Sequence, residues 1–167
     1  RIAHTDDAIL VHYKVKEASV RAVAAGDNGA VWEDACVEFF SIPAGDGIYY
    51  NVECNCAGTL LIGAGAGREN REHAPQEVMD KVQRWSSLGR QSFEERVGEC
   101  NWELALVIPY SAFFKHQITS LDGKTVRANF YKCGDKLQTP HFLSWNPIAL
   151  EKPNFHCPEF FGTLNFE

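Results

Sequence analysis

Apolar and polar residues alternate with a period of two along most of the chain, the spacing of strands that bury one face. Ile9, Val11, Tyr13 and Val15 alternate with Leu10, His12 and Lys14. Val37 and Phe39 interleave with Cys36 and Glu38 in a strand expected over 32–40. In the run Ile48–Cys56, Tyr50, Val52 and Cys54 fall on one face and Tyr49, Asn51, Glu53 and Asn55 on the other. Trp102, Leu104, Leu106 and Ile108 alternate with Glu103, Ala105 and Val107 until Pro109 ends the run. Val126, Ala128 and Phe130 alternate with Arg127, Asn129 and Tyr131, and an apolar stretch from Phe160 to Phe166 closes the chain. Turn residues separate these runs at 26–29, 43–47 and 122–123, the last reading as a hairpin turn. Many short alternating strands between Gly- and Pro-rich turns predict an all-β, antiparallel β-sandwich of jelly-roll type. One segment has a different period. Pro75 stands at a first helical position, and Val78, Val82 and Trp85 fall at i, i+4 and i+7. A short helix over 75–85, covering one end of the sandwich, is expected.

Composition narrows the class. The 167 residues suit one domain spanning 1–167, and 45% hydrophobic residues supply a core without disulfides or metal. Sixteen Lys+Arg against 22 Asp+Glu give a net charge of −6. That balance argues against nucleic acid and against an anionic membrane surface, both of which draw on clustered cations. The six Cys are too few for a disulfide-stapled scaffold. Cys54 and Cys56 lie too far apart along a strand to pair with each other, and no matched second pair accompanies them to build a zinc site. Buried reduced thiols are expected, and the compartment, exported or cytoplasmic, is left open.

Candidate chemistry is sparse. There is no Gly-x-Ser-x-Gly elbow and no His-Glu-x-x-His helix. Gly63–Gly67 lacks the βαβ flanks of a dinucleotide site and reads as a loop leaving a strand. Asp34, Glu38 and Glu53 fall on compatible strand faces, where two of them could act as a glycosidase pair or simply form a solvated acidic face. Trp32 shares the Glu38 face, and Trp145 sits in a Pro-terminated segment. An aromatic plate stacks on the C–H face of a sugar ring, while Glu, Asn and Arg bond its hydroxyls. On composition alone, both Trp read more readily as core residues.

The stretch Val31-Trp32-Glu33-Asp34-Ala35-Cys36-Val37-Glu38-Phe39-Phe40 resembles the signature strand of carbohydrate-binding module family 9. Residues 129–135, 142–147 and 154–162, which include Ser144-Trp145-Asn146-Pro147 and Phe161-Gly162, resemble its small stand-alone bacterial subgroup. The resemblance implies a non-catalytic β-sandwich that grips a saccharide end between two tryptophans, in the context of polysaccharide degradation. Trp32 and Trp145 would be the plates, with Glu38 and Asn51 as hydroxyl partners. Asn51 stands where the family carries Arg, a departure that Arg68 or Arg127 could offset. Arg127 and Asn129 would flank the site. The expected ligands are glucan or xylan fragments. The resemblance also implies a structural calcium, although no Asp-rich loop stands out to hold one. Two rival readings remain: a glycoside hydrolase or accessory subunit using the strand-face carboxylates, and a haem-binding sandwich using Met79 near His73 as axial ligands.

Overall fold

The computed structural model describes residues 1–167 as two antiparallel sheets packed face to face. The first contains β1 (Ile2–His4), β2 (Ala8–Ala22), β7 (Gln83–Ser86) and β8 (Phe93–Pro109), in the order β1-β2-β8-β7. The second contains β3 (Cys36–Ile42), β4 (Tyr49–Asn55), β5 (Leu60–Gly65), β6 (Glu72–His73) and β9 (Thr125–Cys133). Its order runs β9-β3-β4-β5-β6, and β10 (Phe142–Ser144) and β11 (Gly162–Asn165) both pair with β9.

Period-two patterning explains the sandwich. Ile9 and Val11 of β2 and Trp102, Leu104, Leu106 and Ile108 of β8 meet Val37, Phe39, Val52, Leu60 and Ile62 in one continuous core. Removing this apolar area from water is the main force holding the sheets together. The long β2–β8 pairing contains a bulge where Glu17 faces Cys100 and Ser19 faces Val97. Gly98 takes φ +128° there, a conformation that L side chains rarely adopt.

Two expectations are corrected. The helix is a single turn, α1 (Gln76–Met79), and Gln83–Ser86 form β7 instead of its continuation. The register pairs Trp85 with Ala105 on the outer face of β8, so Trp85 is exposed while Val78 and Val82 are buried. Hydrogen bonding to the edge of β8 overrides the local helical period. Arg84, pointing inward from this edge strand, binds Asp27 with two contacts of 2.7 Å. The turn at Asp122–Gly123 forms, with the Lys124 amide donating to the Leu121 carbonyl, but it opens β9 rather than joining two strands of a hairpin. Met79 is fully buried in the core and His73 is exposed on β6, so the two cannot serve as an axial haem pair. No helix is long and apolar enough to cross a membrane.

Candidate functional site

The second sheet places a polar row on its outer face. Register aligns Leu61, Glu53, Glu38 and Tyr131 across β5, β4, β3 and β9, and the next row aligns Gly63, Asn51, Phe40 and Asn129. In an ordinary sandwich these positions would meet water. Here residues 145–161 fold back over one half of the face, and the other half remains as a cleft of about 420 Å³. Glu38, Asn51 and Glu53 line its floor; Trp32, Arg68, Asp135, Phe142, Asn154, Phe155 and His156 are among its walls.

Trp32 reaches the cleft from a 3-10 turn, Val31–Glu33, just before β3. The strand starts at Cys36 rather than at Trp32, because Asp34 breaks away to cap neighbouring backbone. Its carboxylate accepts the Val23 and Ala24 amides and the Asn55 side-chain amide, so Asp34 is structural and lies outside the cleft. This turn leaves the Trp32 ring 39% exposed at the cleft wall. On the covered side, Phe155 stacks on Tyr131 at 4.1 Å with nearly parallel planes, and Phe142 meets Phe155 edge-on at 6.2 Å.

The floor is an ordered polar chain. Arg71 Nε and Nη2 donate to Asn51 Oδ1 at 3.0 and 2.7 Å, and Asn51 Nδ2 donates to Glu53 Oε1 at 2.8 Å. The remaining Arg71 donors go to the carbonyls of Tyr49, Gly63, Gly65 and Gly67, and its guanidinium lies 3.9 Å over the Tyr49 ring. Gly63 makes room for this arrangement: a Cβ there would stand 2.6 Å from Asn51 Oδ1. A charged guanidinium therefore stands directly behind Asn51, supplied by the loop after β5. Sequence reasoning missed Arg71, since nothing in the run Gly63–Gly67 signals that the chain beyond it turns back under the sheet edge. Arg68, exposed at the mouth, makes no hydrogen bond within the protein.

Burial controls the carboxyls. Glu38 and Glu53 are register partners on the same face, 2% and 4% exposed. Burial pushes Glu53 up to about 7, against the pull of the Asn51 hydrogen bond and the Arg71 charge. Burial, reinforced by Cys133 and Glu53, holds Glu38 well above the usual carboxylate range. Burial also lowers His156 to about 4, with Arg71 and Arg68 adding to the effect, so its ring is neutral at pH 7 and meets the Tyr49 hydroxyl at 2.8 Å.

The other expected site residues lie elsewhere. Trp145 packs edge-on against Phe130 at 5.8 Å, lies close against Gly162, and does not line the cleft. Its amide donates to the Phe130 carbonyl, which ties it to the sheet edge. Arg127 donates to the carbonyls of Pro158, Glu159 and Phe161. Asn129 donates to the Asn146 carbonyl and accepts the Asn146 amide. Both residues fasten the folded-back segment. The structure thus joins Trp32, Glu38 and Asn51 in one cleft and separates them from Trp145, Arg127 and Asn129.

The cleft thus sets an aromatic wall over a carboxylate-and-amide floor. The sequence profile of carbohydrate-binding family 9 matches residues 1–166. The chain belongs to that family. A candidate carbohydrate-binding protein from Bacteroides uniformis ATCC 8492 is 72% identical over all of this chain and 77% of its own, with a TM-score of 0.98. A family 9 module from Caldicellulosiruptor kristjanssonii, solved in complex with glucose, is 10% identical. It covers all of this chain and 74% of its own with a TM-score of 0.60, a likeness of fold. No protein of curated function matches the chain significantly.

All six Cys are free, and five of them are buried. One set of three potential metal ligands stands within reach of a single ion: Cys36, Glu38 and Cys133. Two sulfurs do not fit the structural calcium implied by the family resemblance, since calcium takes about six to eight oxygen ligands.

Proposed function

We propose that this family 9 domain binds the end of a saccharide in the cleft, without catalysing its breakdown. The observation that carries the reading is the opposition of an exposed aromatic plate, Trp32, to buried acceptors, Glu38 and Glu53, in one cavity. A pyranose has an apolar C–H face and a rim of hydroxyls, and the two surfaces match those two halves. The cavity, about 420 Å³, falls at the small end of the roughly 300–1,000 Å³ range of small-molecule sites. That size suits one or two sugar rings entering from an end.

Phe155 and Phe142 take the second aromatic side in place of Trp145. Glu38 and Asn154 would bond hydroxyls, and Arg68 is a free charged donor at the mouth. Asn51 stands where the family carries Arg. With its oxygen held by Arg71 and its amide by Glu53, it orders the floor more than it grips a ligand. The ligand class is a glucan or xylan fragment, in keeping with a role beside polysaccharide-degrading enzymes. Few hydrogen bonds and a cleft open to solvent give modest affinity.

Calorimetric titration with glucose, cellobiose, xylobiose and their alditols tests this. Expected are saturable heats that Trp32→Ala removes while the circular dichroism spectrum is unchanged. Absence of heat with every sugar at millimolar concentration contradicts the reading. Release of reducing sugar from oligosaccharides would replace it with catalysis by Glu38 and Glu53.

A further inference from the structure

Cys36 on β3 and Cys133 on β9 are register partners on adjacent antiparallel strands, so both side chains leave the same face of the sheet. Glu38, two residues along β3, leaves that face as well. The two sulfurs and a Glu38 carboxylate oxygen all lie within 4.8 Å of one another. The Cys133 thiol donates to Glu38 Oε1 at 3.0 Å. All three residues are nearly inaccessible, yet Glu38 and Cys133 line the cleft, as does Asp135 two residues beyond Cys133. The cluster is therefore buried, with two of its three members bordering the cleft.

Ligand atoms around a tetrahedral zinc sit at about 2.3 Å for sulfur and about 2.0–2.2 Å for carboxylate oxygen, which puts them some 3.3–3.8 Å from one another. With no pair wider than 4.8 Å, contraction of about an ångström suffices for the widest, while Cys133 and Glu38, at 3.0 Å, must part by about half an ångström. Sulfur donors favour a borderline or soft cation over calcium or magnesium. We propose that Cys36, Cys133 and Glu38 form a binding site for zinc or a cation of its class, with the fourth coordination position facing the cleft. Each thiol and the Glu38 carboxyl give their protons to the solvent on coordination, so three protons leave for one dication and the loaded site carries a single net negative charge. Three protein ligands with one position open is the pattern of sites that take a water or ligand oxygen, and Asp135 stands on that side to accept from it. The site shares Glu38 with the proposed sugar site but needs no saccharide, so metal titration of the sugar-free protein tests it separately from sugar binding.

The test is titration of the reduced, chelator-treated protein with zinc against a chromophoric zinc indicator, and with cadmium while following the ultraviolet thiolate charge-transfer band. One equivalent of each metal should bind, with the cadmium band present. Cys36→Ser and Cys133→Ser should each weaken zinc by at least roughly 100-fold and cut the band to about half or less. Glu38→Gln should weaken zinc by about 10-fold or more while keeping the band. Cys100→Ser, whose thiol lies outside the cluster, should leave both unchanged. Circular dichroism of each variant reports whether it is folded, and Glu38→Gln serves if a serine variant is not. Absence of stoichiometric binding, or zinc affinity unchanged in Cys133→Ser and in Glu38→Gln, overturns the proposal.

Discussion

Glu53→Gln should make the domain more stable at alkaline pH and leave it unchanged at acidic pH. Glu53 faces Glu38 across β3 and β4 with almost no access to water, and burial sets its titration near 7 in the folded protein. In the unfolded chain it titrates at its ordinary value, 4.5. Between those two values the folded state keeps a proton that the unfolded state has released. The folded state thus binds more protons, and stability falls as pH rises through this window. The gap from 4.5 to about 7 amounts to roughly 3 kcal/mol, fully lost above pH 7. Gln keeps an acceptor for the Asn51 amide and carries no charge at any pH, so its stability lacks this fall. Urea unfolding of both proteins from pH 3.5 to pH 8 measures the difference. The curves should coincide near the acid end and diverge to a midpoint difference of about 1–2 M at pH 8, with Glu53→Gln the more stable. Parallel curves would refute the reasoning, because they would mean that Glu53 ionises at no cost in the fold.

Other substitutions probe the walls and their supports. Trp32→Ala should weaken sugar binding by at least about tenfold, roughly 1.4 kcal/mol, in calorimetry, while Trp145→Ala keeps affinity and lowers thermal stability by about 1 kcal/mol through its lost Phe130 contact. Gly63→Ala should force Asn51 off its position and so cost about 1–3 kcal/mol in urea unfolding, with weaker binding alongside. Asn129→Ala leaves the Asn146 amide and carbonyl without their partner and should cost about 1–3 kcal/mol, read as a lower denaturation midpoint.

The fold was largely legible because the core obeys a simple rule: strands of period two, with Ile9, Leu104, Val52 and their neighbours on one face, have few ways to bury that face. The helix over 75–85 was misjudged where a tertiary edge, β8, offered Gln83–Ser86 better hydrogen bonding than their own helix could. The site was half legible. Strand alternation sets Asn51 and Glu53 on one face, and the resemblance to family 9 points to Trp32, Glu38 and Asn51 as ligand residues. Its second wall was not, because Phe155 depends on how residues 145–161 fold back, and Arg127 and Asn129 turn out to be the anchors of that fold-back. The same long-range pairing hides the Cys36–Cys133 contact, since nothing in the local sequence announces that β9 lies beside β3. Arg71 escaped notice for a related reason: its partner Asn51 is reached only through a loop that the glycines release.

The central claim is where the sugar sits, and a crystal of the domain soaked with glucose tests it directly. The account predicts a pyranose stacked on Trp32, with Phe155 on its far side and a hydroxyl within hydrogen-bonding distance of Glu38. A sugar resting on Trp145 with the cleft free of it would contradict the account.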